Sequence, residues 1–194
     1  MKKFNVKSIT AVTAAVMAIS AMAAPMSAFA DTSEKTFNYS ATDQTGNIAV
    51  TYSNAPTFTV TIPADVSFTT LGETKSGSTL SASDVFLAHG KVVTVSIASA
   101  NGYQMKNTDT TDTTSYIGYT LSATSTNATV ADAFSTGVSS GTTSQLLATF
   151  ANGNAATKGS GTVNLTFVND DGSHAVAGSY ADTLTFTIAV ADAT

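Results

Sequence analysis

Cysteine, tryptophan and arginine are absent from this 194-residue chain, and it holds two histidines and three prolines. Each shortage excludes something. Without thiols there is no disulfide staple, no thiolate metal site and no cysteine nucleophile. The two histidines, His89 and His174, each lie close to a glycine in a turn-like stretch and read as solvated turn residues. Two imidazoles without cysteine are too few ligands for a transition-metal site, so neither metal nor cofactor is expected. The two glutamates, Glu34 and Glu73, fall outside the strand-like segments, so no carboxylate pair faces across neighbouring strands as glycoside hydrolysis needs. Charged residues make up 11% of the chain, against about 25% in an average domain. Ser, Thr, Asn and Gly must therefore solvate the surface.

What is present begins with a leader. Lys2, Lys3 and Lys7 precede an apolar stretch from about Ile9 to Met22, and Ala28-Phe-Ala30 supplies a small-x-small cleavage pattern. This three-part arrangement predicts a secretory signal over residues 1–30, cut between Ala30 and Asp31. The apolar run is shorter than the roughly 20 residues that span a bilayer, so no membrane span is expected in the mature chain. Residues 31–194 form one domain, large enough for its own core. In it, five lysines face all 13 acidic residues, a net charge of −8. That balance gives phosphate backbones nothing to bind, and nucleic acid is excluded as a partner.

The mature part alternates with a period of two. Val163, Leu165 and Phe167 share one face of Gly161–Val168, and Leu184, Phe186, Ile188 and Val190 share one face of the last run. Successive strand side chains point to opposite faces, so each run lays an apolar row on a core and a Thr row toward water. Asn169-Asp-Asp-Gly172, between them, has the chemistry of a hairpin turn. Similar runs lie at 57–63, 91–98, 116–123 and 144–150, with an N-terminal pair at 36–43 and 47–53. Residues 71–83, polar and rich in Ser and Gly, read as a loop, and 128–134 is the one place for a short helical turn. About eight to ten short strands at this spacing predict an all-β fold. The expected form is an antiparallel Ig-like β-sandwich with Greek-key connections.

Three constellations could carry chemistry. Gly137-Val-Ser139-Ser-Gly141 matches G-x-S-x-G, with Asp170, Asp171 and His174 downstream, but that motif acts only on a strand-to-helix elbow. No such elbow is expected in an all-β chain. Asn107, Asp109 and Asp112 offer oxygen ligands within the loop 107–114, without the glycine and closing glutamate of an EF-hand; an exposed loop of Asx turns is the favoured account of them. Tyr103, Tyr116 and Tyr119 are the candidate ligand contacts, since aromatic rings stack on sugars.

Gly178-x-Tyr180-x-Asp182-x-Leu184-Thr-Phe-Thr-Ile188 resembles the final strand of secreted pilin-like and spore-coat-U-like β-sandwich subunits. It is also similar to the closing strand of WxL cell-wall domains, with Phe186 where their Trp stands. Val60-Thr-Ile-Pro63 and Val66-Ser-Phe68 are similar to the opening of such small surface domains. The chain departs from these families in having neither Trp nor a Cys pair. The resemblance implies a bacterial, surface-exposed, non-enzymatic module. The expected function is a secreted structural or adhesion module acting through edge-strand and loop contacts. Its partners would be a cell-wall or host glycan or protein, or other copies of itself. A secreted carbohydrate-binding module and a secreted serine hydrolase are the alternatives.

Overall fold

The computed structural model describes residues 16–17 and 50–193. Among them the strands are β1 (Val16–Met17), β2 (Thr57–Thr61), β3 (Thr74–Phe86), β4 (Lys91–Ser99), β5 (Gln104–Asn107), β6 (Tyr116–Thr126), β7 (Ala128–Val130), β8 (Gln145–Phe150), β9 (Gly159–Asn169), β10 (Tyr180–Ala181) and β11 (Leu184–Asp192). One helix, α1 (Asp132–Thr136), interrupts them. The strands form two antiparallel sheets, the larger in the order β1-β2-β3-β9-β6-β5-β10 and the smaller in the order β11-β4-β8-β7. The fold is an all-β sandwich, as the alternation predicts.

The core lies between the sheets and follows the period of two. Val93, Val95 and Ile97 of β4 are fully buried against Val163, Leu165 and Phe167 of β9, with Leu121 of β6, Leu80 of β3 and Phe150 of β8 completing the layer. Each such side chain taken out of water contributes about 1.5–3 kcal/mol. The apolar row of β11 is only half-buried, and its last member, Val190, is 47% exposed. β11 is an edge strand and runs past the end of the core.

The structure revises several expectations. Residues 74–83, expected to be loop, belong to the long strand β3. Its serines and threonines hide the pattern, because they form the outer row while Leu80, Ala82 and Val85 turn inward. Register shifts against β9 between Lys75 and Ser78 and between Ala82 and Val85 also break its period. Residues 50–53 are not strand, and Val50 and Tyr52 are exposed. The expected helical turn is β7 followed by α1. The two closing runs are not a hairpin: β9 sits at the centre of the larger sheet and β11 at the edge of the smaller. The leader, its cleavage point at Ala30 and Asp31, and the strand at 36–43 lie outside the described residues, Val16–Met17 apart. Those two residues pair with Val60 and Thr61 on the outer edge of β2.

One glycine makes the crossing between sheets possible. The chain leaves β6 for β7 at Asn127, in the left-handed region with φ 56. Asparagine tolerates that conformation better than most residues. The Asn127 carbonyl packs directly on Gly161 of β9, where a Cβ would collide with it and approach the Phe150 ring at 3.1 Å.

Candidate functional site

The inward row of the larger sheet does not stop where the smaller sheet ends. Beyond Tyr119 it continues through Ile117, which pairs with Met105 of β5, and through Asn169, the last residue of β9. Among the described residues that line the cavity over these positions, none belongs to the smaller sheet. The strap between β2 and β3 and the segment 172–180 cover them instead, and together they enclose a cavity of about 430 Å³. The strap contributes Val66, Phe68 and Leu71; the other wall contributes Ala175, Val176 and Tyr180.

Both walls are held by hydrogen-bonded polar groups. The Glu73 carboxylate accepts from the amides of Thr69 at 2.6 Å and Thr70 at 3.3 Å, and it pairs with Lys75. Asn169 is buried; its Oδ1 accepts from the Glu73 amide and its Nδ2 donates to the Thr70 carbonyl at 2.8 Å. On the other wall, Asp170 accepts from the amides of Gly118 and Gly172, both at 2.8 Å. Tyr180 Oη accepts from the Val176 amide at 2.7 Å and donates to the Val176 carbonyl at 2.8 Å.

The Lys75 ammonium, then the Thr69 amide, holds the Glu73 carboxyl at about 2, below its ordinary 4.5. A lowered carboxyl stabilises the folded strap above its ordinary value and loses that contribution as it is protonated. The latch is therefore whole above pH 4.5 and released as pH falls toward 2. Amide exchange at Thr69 and Thr70 is expected to speed up over that window relative to core amides. In Glu73→Ala it is expected to be fast already at neutral pH. Equal protection in that variant and the wild type would show that Asn169 alone holds the strap.

Beside the cavity lies a polar junction between the sheets. Asp182 Oδ2 accepts from Tyr119 Oη and from Ser99 Oγ, each at 2.6 Å, and Oδ1 accepts from the amides of Asn101 and Thr183. Ser99 Oγ in turn accepts from the Tyr103 amide at 2.6 Å. Tyr103 packs edge-on against Tyr119, and its Oη has no partner among the described residues.

The structure separates the three candidate tyrosines. Tyr103, 1% exposed, and Tyr119, 6% exposed, are core residues and present no ring to a ligand. Burial pushes both hydroxyls above their ordinary range, and Asp182 adds to the rise. Tyr116 alone is partly exposed. It is stacked on His174 at 4.6 Å, with the Lys106 ammonium 5.0 Å from its ring centre. The alignment of Tyr119 with Ile117 and Leu121 was a sequence signal for its burial. Nothing comparable marks the cavity, whose covering segments have no periodicity.

The other two constellations are spread apart or already satisfied. Ser139 follows α1 and precedes β8, the reverse of the strand-then-helix elbow. Among the described residues no hydrogen bond joins Ser139 to His174 or to Asp170 or Asp171. In the loop 107–114, Asp112 accepts from Ser115, Thr114 and Asn107, and Asp109 accepts from Thr111. These donors, Ser115 foremost for Asp112 and Thr111 for Asp109, lower both carboxyls, that of Asp112 well below the usual range. Among the described residues no group of three or more His, Asp or Glu is placed to hold a metal ion. No protein-family model and no curated protein matches the chain.

Proposed function

We propose that the protein is an exported, non-enzymatic module of a bacterial surface. It works by contact, through the free edge of β11 and through the loops around the cavity. Its partners are a cell-wall or host glycan or protein, or further copies of the chain. The observation that carries this reading is the outer edge of β11. Nine consecutive residues pair in unbroken register with β4, from Leu184 opposite Ser99 to Asp192 opposite Lys91. The other side of the strand has no partner among the described residues. Soluble proteins blunt such edges with lysine, proline or bulges. β11 has none of these, and its row of amides and carbonyls is a template for another strand.

Protein collected from the medium is expected to begin at Asp31. In sedimentation velocity it is expected to associate as concentration rises. Thr187→Lys with Ala189→Lys, which charges the edge, is expected to hold it as a monomer at the same concentrations. A chain that stays inside the cell, or one that sediments as a monomer throughout, would count against the reading.

A further inference from the structure

The loop half of the proposed function leaves the ligand's chemistry open, and the cavity narrows it. Its volume of about 430 Å³ falls within the range of roughly 300–1,000 Å³ for sites that take small molecules. Its floor is Ile117 and Met105, and its sides are Phe68, Val66 and Val176. A site that recognises a sugar or a charged group needs convergent hydrogen-bonding groups free to turn toward it.

Here the larger polar side chains that line or brace the walls are occupied in building those walls, which leaves only the exposed hydroxyls of Thr70 and Ser179 among the lining side chains without such a bond. Both ends of the Asn169 amide are bonded to the strap, the Glu73 carboxylate to the strap amides and Lys75, and Tyr180 Oη to both backbone groups of Val176. The lips of the opening are also apolar. Leu71 is 51% and Val176 is 56% exposed, and both line the cavity. Apolar side chains left in water around a concave site mark a place where something apolar is bound.

We infer that this cavity is a binding site for an uncharged, mainly apolar group of small-molecule size, either an aromatic ring system or a short acyl chain. It is selected mainly by shape and by removal from water, with the Thr70 and Ser179 hydroxyls as the lining side chains left to make a hydrogen bond. The inference rests on the contact reading only for its location. It stands or falls without the β11 edge.

The test uses the mature protein and N-phenyl-1-naphthylamine, an uncharged aromatic probe that brightens in apolar surroundings. Saturable one-site binding is expected. Ala175→Phe, which fills the cavity from one wall, and Val176→Asp, which charges its lip, are each expected to weaken binding about tenfold or more, a loss easily resolved in a titration. Leu146→Ala removes an exposed apolar side chain on β8, away from the cavity, and is expected to leave binding unchanged. Thermal melting checks that each variant folds, so a failure of Ala175→Phe to fold leaves Val176→Asp to decide.

Competition separates the two sources: displacement by indole assigns an aryl group, and displacement by methyl decanoate, an uncharged ester, assigns an acyl chain. Absence of saturable binding, binding unaffected in both folded cavity variants, or displacement by maltotriose but neither apolar competitor would each overturn the inference. None of these results bears on sedimentation of the edge variant, so the two readings fail separately.

Discussion

Replacing Asp182 with alanine is expected to lower the melting temperature by about 10 °C. The carboxylate accepts four hydrogen bonds that tie the end of β4, the turn after it, β6 and the start of β11 into one junction. A hydrogen bond to a charged group contributes about 1.5–3 kcal/mol, and a buried donor left without an acceptor costs about 1–3 kcal/mol. Tyr119 Oη, inside the core, would be such a donor. Because the bonds share one acceptor, their losses do not add in full, and a total of ~3–4 kcal/mol is expected. In a domain of this size each kcal/mol moves the midpoint by about 2–4 °C.

Asp182→Asn keeps the shape but not the charge and is expected to lose about half as much. The junction also carries a pH signature. The Tyr119 hydroxyl is raised above its ordinary 10, so the stability it contributes is whole below pH 10 and falls as pH rises further. Tyr119→Phe is expected to flatten that alkaline loss. A melting curve for Asp182→Ala that coincides with the wild type at pH 7 would mean that water replaces the carboxylate without cost.

Gly161→Val is expected to cost ~3 kcal/mol or more. The new side chain would meet the Asn127 carbonyl oxygen and the Phe150 ring, one backbone and one fully buried. Neither can yield without moving the crossing from β6 to β7. Overpacking a close-packed interior usually costs about 1–3 kcal/mol, and a rigid backbone neighbour places this site at the upper end. Thr162→Val, one residue on and in the outer row of β9, is expected to change stability by less than about 0.5 kcal/mol. Urea denaturation of the two variants makes the comparison. If they fall by similar amounts, the strand rather than the crossing is what Gly161→Val disturbs.

Alternation was legible wherever it ran unbroken through apolar residues. β4, β6 and β9 lie where Val93 to Ile97, Ile117 to Leu121 and Val163 to Phe167 place them. β3 was not legible, since only Leu80, Ala82 and Val85 face inward and two register shifts put them out of step. The tyrosines show a different limit. Ring chemistry suits both stacking on a ligand and filling a core, and only the parity of Tyr119 with Leu121 distinguishes the two. Tyr103 had no such guide: it holds φ 63 directly after Gly102, and the turn rather than a strand period aims its ring inward. The cavity depends on long-range assembly. Asn169-Asp-Asp-Gly172 does turn the chain, but it leads into a wall tied to β5 and β6 instead of a returning strand.

The order of the larger sheet has a kinetic consequence. β9 is near the end of the chain yet lies between β3 and β6, with Leu80 opposite Val163 and Ala123 opposite Leu165. Neither half of that sheet can close until β9 arrives, and pairing over such separations is slow. A growing chain therefore has no complete core until β9 has been made. Were the chain exported as proposed above, that delay would hold it open for the passage, and collapse into the sandwich would follow on the far side.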